Sequence, residues 1–219
     1  MGKKILIGLG VFLGIVAVFA IFVAMQPDEF AVERSATIAA PPEVVFNQVN
    51  NFHNWEAWSP WLPLDPQCQK TYEGPDSGEG AKFHWAGNDK VGEGRMQIAE
   101  SIAPQRIVID LEFIKPFAAQ NVTLFTISPE PDGTKVVWNM SGKNNFMGKA
   151  MCLFMDMDKM VGGDFKKGLA AMKEVAEKEA RGTPATESKP ADAAQPTEPA
   201  AEPSADAAPS AEHATPANP

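Results

Sequence analysis

Residues Ile5 to Met25 are 21 consecutive positions without a charge, rich in Ile, Leu, Val and Phe. As a helix rising about 1.5 Å per residue the run is about 31 Å long, close to the hydrocarbon thickness of a bilayer. Lys3 and Lys4 precede it, and Pro27, Asp28 and Glu29 follow it. By the positive-inside rule the short N-terminus stays in the cytoplasm and everything after residue 26 lies outside, in a periplasmic or extracellular space. A cleaved signal peptide is the rival reading, with Val18-Phe19-Ala20 as its cleavage site. The run continues past that site and exceeds the ~7–15 residues of a signal core, which favours an uncleaved anchor through residues 5–25. Gly10 and Gly14 have the small-xxx-small spacing that lets membrane helices approach, and mark where a weak dimer contact would form.

At the other end, residues 182–219 are Ala, Pro, Glu, Thr and Ser without an aromatic. Six acids and one lysine, Lys189, give the tail five of the chain's nine net negative charges. Such a segment buries too little apolar surface to offset the entropy of ordering, so disorder is expected. No basic stripe is present, which argues against a nucleic-acid partner. The sequence therefore divides into an anchor with a short linker (1–29), one domain (30–181) and a disordered tail (182–219). The domain's about 150 residues suit a single core.

Within the domain the pattern changes twice. "FAVERSATIA" (30–39) alternates and reads as a strand. In "APPEVVFNQVNNF", Pro42 suits a first helical turn, and Val45, Val49 and Phe52 recur at helical spacing. "NWEAWSPW" (54–61) holds three of the chain's five tryptophans, with Trp55 and Trp58 three apart on one face of a second short helix and Trp61 beyond Pro60. From there to residue 141 the signals are strands and tight turns: "QKTYEG", "AKFHWAG", "VGEGRMQIAESIA", "RIVIDLEF", "NVTLFTIS" and "TKVVWNMS". "RIVIDLEF" puts Ile107, Ile109, Leu111 and Phe113 on one face and Val108, Asp110 and Glu112 on the other. One apolar face and one wetter face mean an antiparallel sheet covered on one side. The remainder is helical, with Phe165, Leu169, Met172 and Ala176 as a stripe and Gly162-Gly163 as an expected kink or brief interruption. The sheet must then curl around that helix, since nothing else is available to cover its apolar face.

This order resembles the START-like superfamily, also called SRPBCC or polyketide cyclase/dehydrase and lipid-transport proteins, and most of all its bacterial cyclase-like branch. The resemblance runs from Glu33 to about Glu177 and rests on "APPEVVFNQVNNFHNWEAWSPW", "YEGPDSGEGAKFHWAGNDKVGEGRMQI" and "MDKMVGGDFKKGLAAMK". It implies an α+β helix-grip fold: a curved antiparallel sheet wrapped around a long C-terminal helix, with a deep apolar cavity between them. It implies no single activity; members bind lipids, sterols, quinones, polyketides or hormones, and some catalyse cyclisation. In such a fold Trp55 and Trp58 cap one end of the sheet or rim the cavity, with packing the commoner role for buried aromatics. Proteins normally close-pack such faces, so the expectation of a void comes from the resemblance alone.

If the void exists, strand alternation nominates Trp85, Met96, Leu111, Phe113 and Trp138 as its walls, and the helical stripe nominates Phe165, Leu169 and Met172. Six of the ten methionines fall between Met147 and Met172; they suit either an adaptable binding surface or gap filling. The expected partner is a hydrophobic small molecule such as a lipid, quinone or polyketide. The alternative is a cyclase- or hydrolase-type enzyme with acids in the same pocket, drawn from Glu93, Asp110 and Glu112 with Arg95. Solvation of the strand surface is the commoner fate of such residues.

His53, His84 and His213 have no metal spacing, and "GPDSGEG" lacks the lysine and hydroxyl of a phosphate loop, so neither metal nor cofactor is expected. No nucleophile motif appears. Asp156 and Asp158 suit a helix start rather than a calcium loop. Cys68 and Cys152 have no spacing that brings them together and are expected as free thiols.

Overall fold

A computed structural model of the chain describes residues 2–144, 146–154 and 156–182, and within them all side chains but those of Met147, Met151, Cys152 and Met157. The tail beyond Gly182, with Lys189 and His213, lies outside the described residues. The apolar run forms α1 (Gly2–Ala24), a helix long and apolar enough to cross a membrane.

The domain begins with β1 (Glu29–Ile38) and α2 (Pro42–Asn50). Pro42 occupies the first turn, where its missing N–H costs nothing, and Val45, Phe46 and Val49 are buried. The tryptophan segment explains how α2 ends. The last four carbonyls of a helix have no partner within it. Here Asn54 Nδ2 donates to the Asn47 carbonyl (2.9 Å), Trp58 Nε1 to Gln48 (3.0 Å), Trp55 Nε1 to Val49 (3.0 Å), and the Gly78 amide to Asn50 (3.0 Å). Residues Phe52–Ala57 form a single 3-10 helix. At three residues per turn it stacks Trp55 above Trp58 and lets both indoles reach back to α2. Packing and capping thus account for two of the three clustered tryptophans.

Six further strands follow: β2 (Gln69–Glu73), β3 (Lys82–Ala86), β4 (Glu93–Ile102), β5 (Arg106–Lys115), β6 (Ala119–Glu130) and β7 (Gly133–Lys143). All pairings are antiparallel, in the order β1-β7-β6-β5-β4-β3-β2. On β5, Ile107, Ile109 and Leu111 are buried while Asp110 is exposed, and β7 alternates in the same way through Val136, Trp138 and Met140. Gly94 on β4 faces Trp85 across the ladder. A Cβ there would lie 2.4 Å from the Trp85 ring, so glycine is what lets the indole lie across β4 on the inner face.

Two helices close the domain, α3 (Phe146–Cys152) and α4 (Met157–Gly182). The break between them precedes Asp156, whose carboxylate accepts the Lys159 amide (3.0 Å) as a helix cap. The Gly162-Gly163 pair does not interrupt α4, contrary to the sequence expectation. Gly162 instead lies against Arg34 of β1: a Cβ would meet the guanidinium at 2.1 Å. Arg34 donates to the Asp158 carboxylate (2.8 Å) and carbonyl (3.0 Å), clamping the start of α4 to the sheet edge. The observed architecture is an α+β helix-grip fold preceded by one long apolar helix.

Candidate ligand cavity

Between the inner face of the sheet and the first turns of α4 lies a cavity of about 690 Å³. Its walls carry Trp85, Met96, Leu111, Phe113 and Trp138 from the strands and Phe165 from α4. Six of the eight residues nominated from sequence therefore meet around one space. Leu169 and Met172 do not line it; they are 2% and 0% exposed in the packed core. The stripe that pointed to them marks the buried face of α4 along its whole length, and one and two turns past Phe165 that face is packed against protein.

Aromatic contacts build the cavity floor. Trp138 stacks on Phe165 (centroids 4.0 Å, planes 9° apart) and on Phe125 (5.0 Å), and Trp61 meets Trp138 edge-on at 5.9 Å. A Cβ on Gly168 would meet Trp138 at 2.9 Å, so that glycine admits the indole beneath the helix. Trp61, beyond Pro60, lines the cavity together with Trp55, whereas Trp58 is 1% exposed and is not among the lining residues. Alternation had pointed to neither Phe30 nor Met140, although Met140 lies two residues beyond Trp138 on the same face of β7. The loop residues Val91 and Pro116–Ala118 carry no periodic signal at all, yet they also border the space. Among the methionines, Met96, Met140 and Met160 line the cavity and Met172 fills core; several of the others lie outside the described side chains.

Few polar groups enter. Ser59, Asn121 and Thr123 are buried in the lining, and among the described residues neither Asn121 Oδ1 nor Trp138 Nε1 has a hydrogen-bond partner. Asp89, Lys90, Lys115, Lys143 and Asn144 also border the space. An apolar cavity of about 300–1,000 Å³ with a few polar groups is the usual form of a small-molecule site.

The charges weighed as pocket acids face the other way. Arg95 pairs with Glu112 across β4 and β5, Glu93 pairs with Lys115 (2.6 Å) and lies 3.6 Å from His84, and Asp110 is exposed. The Lys115 ammonium holds the Glu93 carboxyl below its ordinary value. Arg95, Asp110, Glu112 and His84 line a wider groove, about 1230 Å³, on the outer face. Its side chains are mostly polar or charged, and several already satisfy one another, so the inner cavity is the better candidate.

The other displaced titrations also lie outside the cavity. Burial, then the Glu56 carboxylate that accepts its hydroxyl (2.9 Å), pushes Tyr72 well above its ordinary value. Lys70 lowers Glu56 through a 2.6 Å contact, and burial raises the Cys68 thiol, which is free. Among the described residues no group of three His, Cys, Asp or Glu has a metal-binding arrangement. His53 stacks on Tyr72 at 3.9 Å.

A curved antiparallel sheet gripping a C-terminal helix over an apolar cavity defines a helix-grip domain. The family model for polyketide cyclase/dehydrase and lipid transport matches residues 29–177, and the chain belongs to that family. Solved structures share the fold at low identity. A Staphylococcus aureus protein of unknown function is 14% identical, with a TM-score of 0.52 over 72% of this chain and 99% of its own. The di-domain ARO/CYC StfQ of the steffimycin biosynthetic pathway is 12% identical, with a TM-score of 0.51 over 70% of this chain and 52% of its own. A Chromobacterium violaceum protein is 15% identical, with a TM-score of 0.48 over 69% of this chain and 99% of its own. No curated protein matches the chain.

Proposed function

We propose that this protein is a membrane-anchored carrier that holds a hydrophobic small molecule, of lipid, quinone or polyketide type, outside the cytoplasm. The observation that carries the reading is the cavity itself: six bulky apolar side chains, Trp85, Met96, Leu111, Phe113, Trp138 and Phe165, surround about 690 Å³. A void of that size among such residues forgoes the packing that ordinarily stabilises a core, and an apolar ligand restores it. Family membership supports the same class of ligand. The cyclase- or hydrolase-type alternative gains no comparable observation, because Arg95, Asp110 and Glu112 line the outer-face groove and Glu93 is paired with Lys115.

Residues 1–29 serve as anchor and linker and residues 30–181 as the binding domain; the tail, 182–219, falls almost wholly outside the described residues. A Cβ on Gly10 or Gly14 would meet nothing within 4 Å beyond the helix's own backbone, which leaves that side of α1 open to a second anchor. The test is to purify the full chain from its own host in mild detergent and analyse the extracted ligand by mass spectrometry. One stoichiometric apolar compound is expected. An empty protein that also shows no thermal response to fatty acids, quinones or polyketides overturns the carrier reading. Protease added to spheroplasts should digest the domain while α1 stays in the membrane pellet.

A further inference from the structure

The lower end of the cavity lies where α1 joins the domain. β1 begins at Glu29 opposite Lys143 of β7; Gly142 pairs with Asn121 of β6, Ala119 with Phe113 of β5, and Lys115 with Glu93 of β4. These positions, with the loops containing Val91 and Phe117, form one end of the sheet, and both loops line the cavity. Between Ala24 and Glu29 the chain spans at most about 18 Å. A bilayer crossed by α1 is therefore within reach of this end and of no other.

α3 extends the same surface. The run Phe146–Phe154 contains one charge, Lys149. Its ammonium is turned back on α1 and the linker: it donates to the Ala24 carbonyl (3.2 Å) and pairs with Asp28. Four large apolar side chains nearby are exposed, Phe117 at 54%, Phe146 at 55%, Phe154 at 78% and Met160 at 44%, while the exposed charges among them, Asp28, Asp156, Asp158 and Lys159, are each paired with an opposite charge. Soluble surfaces seldom gather such a group without a partner. The Phe154 ring lies 6.4 Å from that of Phe19. Phe19 is five residues, or about 7.5 Å of helix, inside the end of α1. Interfacial helices bury their apolar side to about 5–10 Å, so the two depths agree. Lys90, Lys115 and Lys143 border the cavity at this end, at the height where long side chains reach headgroups.

From these observations we infer that the end of the domain bearing Phe117, Phe146, Phe154 and Met160 sits in the bilayer interface beside α1, so that the cavity exchanges its contents with the adjacent leaflet. The inference rests on the anchored-carrier reading. Its test uses the full chain with Cys68→Ala and Cys152→Ala, and a single cysteine introduced as Phe117→Cys, Phe146→Cys or Asp132→Cys. Asp132 lies in the β6–β7 turn at the opposite end of the sheet. Each variant is labelled with an environment-sensitive fluorophore and reconstituted in phosphatidylcholine vesicles containing lipids with a quencher on the acyl chain. Labels at 117 and 146 should be blue-shifted and quenched several-fold more than the label at 132. Equal, weak quenching at all three sites overturns the inference. So does burial that disappears on dilution to one copy per vesicle, because the occupant is then a second copy of the chain. Ligand extracted from the same samples separates the two readings. Retained ligand with unquenched labels removes the docked surface alone; quenched labels around an empty cavity remove the carrier and leave the docked surface.

Discussion

Ile109 and Leu111 project from the same face of β5, two residues apart, yet Leu111 borders the cavity and Ile109 is completely buried and is not among the lining residues. Placing tryptophan at each position in turn asks whether the space is there. At 109 the new ring has no room, and overpacking a closed core costs about 1–3 kcal/mol. In a domain of this size 1 kcal/mol moves the melting temperature by about 2–4 °C, so Ile109→Trp should melt about 2–12 °C lower. At 111 the ring enters a volume of about 690 Å³, and little change is expected. The ligand response should show the reverse pattern. A bound apolar ligand at a hundredfold excess over its dissociation constant adds about 2.7 kcal/mol, or about 5–11 °C. Ile109→Trp should keep that increment from its lower baseline, and Leu111→Trp should lose it. Near-UV circular dichroism melts of the full chain in nanodiscs, with and without palmitate, ubiquinone or a tetracyclic polyketide, give both readings. Equal destabilisation at the two positions, with no ligand shift in the wild type, would refute the reasoning and make the space a packed core.

Trp58→Phe leaves the Gln48 carbonyl unpaired, at a cost of about 1–3 kcal/mol beyond the lost area, whereas Trp138→Phe removes an N–H that has no partner among the described residues and should cost less in urea unfolding; equal costs would show that the Trp138 N–H is satisfied. Acid should destabilise the domain. The Lys70 hydrogen bond holds Glu56 below its ordinary 4.5, the Lys115 bond does the same for Glu93, the Ala39 amide for Glu177, and Arg34 holds Asp158 below 3.8. Carboxyls lowered in the folded state stabilise it above their unfolded values and lose that contribution as pH falls through the folded ones. Melting temperature should thus be level near neutrality and decline below pH 4.5, with a shallower decline in Arg34→Met; a parallel decline would show that the Arg34 pair contributes nothing. Cys68, buried and with its thiol raised by burial, should react slowly with maleimide until urea is added, and rapid labelling or a peptide linked to Cys152 would contradict its being a buried free thiol.

Much of this architecture was legible because period-two and period-3.6 patterns report burial directly. Ile107 to Phe113 and Trp138 showed which way their strands face, and Pro42 with Val45 and Val49 placed α2. What those patterns do not report is whether a buried side chain meets protein or empty space. Leu169 and Met172 share their stripe with Phe165, and only the height along α4 separates wall from core. Gly162 was misread for a related reason: helix propensity sees a missing side chain, while the fold needs room for the Arg34 guanidinium, which belongs to a strand 128 positions earlier. The capping role of Trp55 and Trp58 was equally hidden, since it depends on indole N–H groups reaching the last carbonyls of a different helix. Loop residues such as Phe117 lie outside any period and became visible only once the strand ends were placed side by side.

The strand order has a consequence for how the chain comes to be folded. β1 is the first strand synthesised, but its sheet partner is β7, so Glu29 waits for Lys143, which follows it by 114 positions. At about 5–20 residues per second that interval lasts roughly 6–23 s, during which β2 to β6 can assemble as a meander of neighbouring hairpins while β1 has no ladder to join. Pairings so distant in sequence are slow to nucleate, because the loop must close before its contacts repay the entropy. In the anchored arrangement proposed above, α1 would hold β1 at the membrane, an unpaired edge until β7 is made. Folding is then a race between closure of that last seam and capture of the open edge by another chain. Chaperones that shield extended strands should bind this protein in that window and release it once the β1–β7 seam has closed.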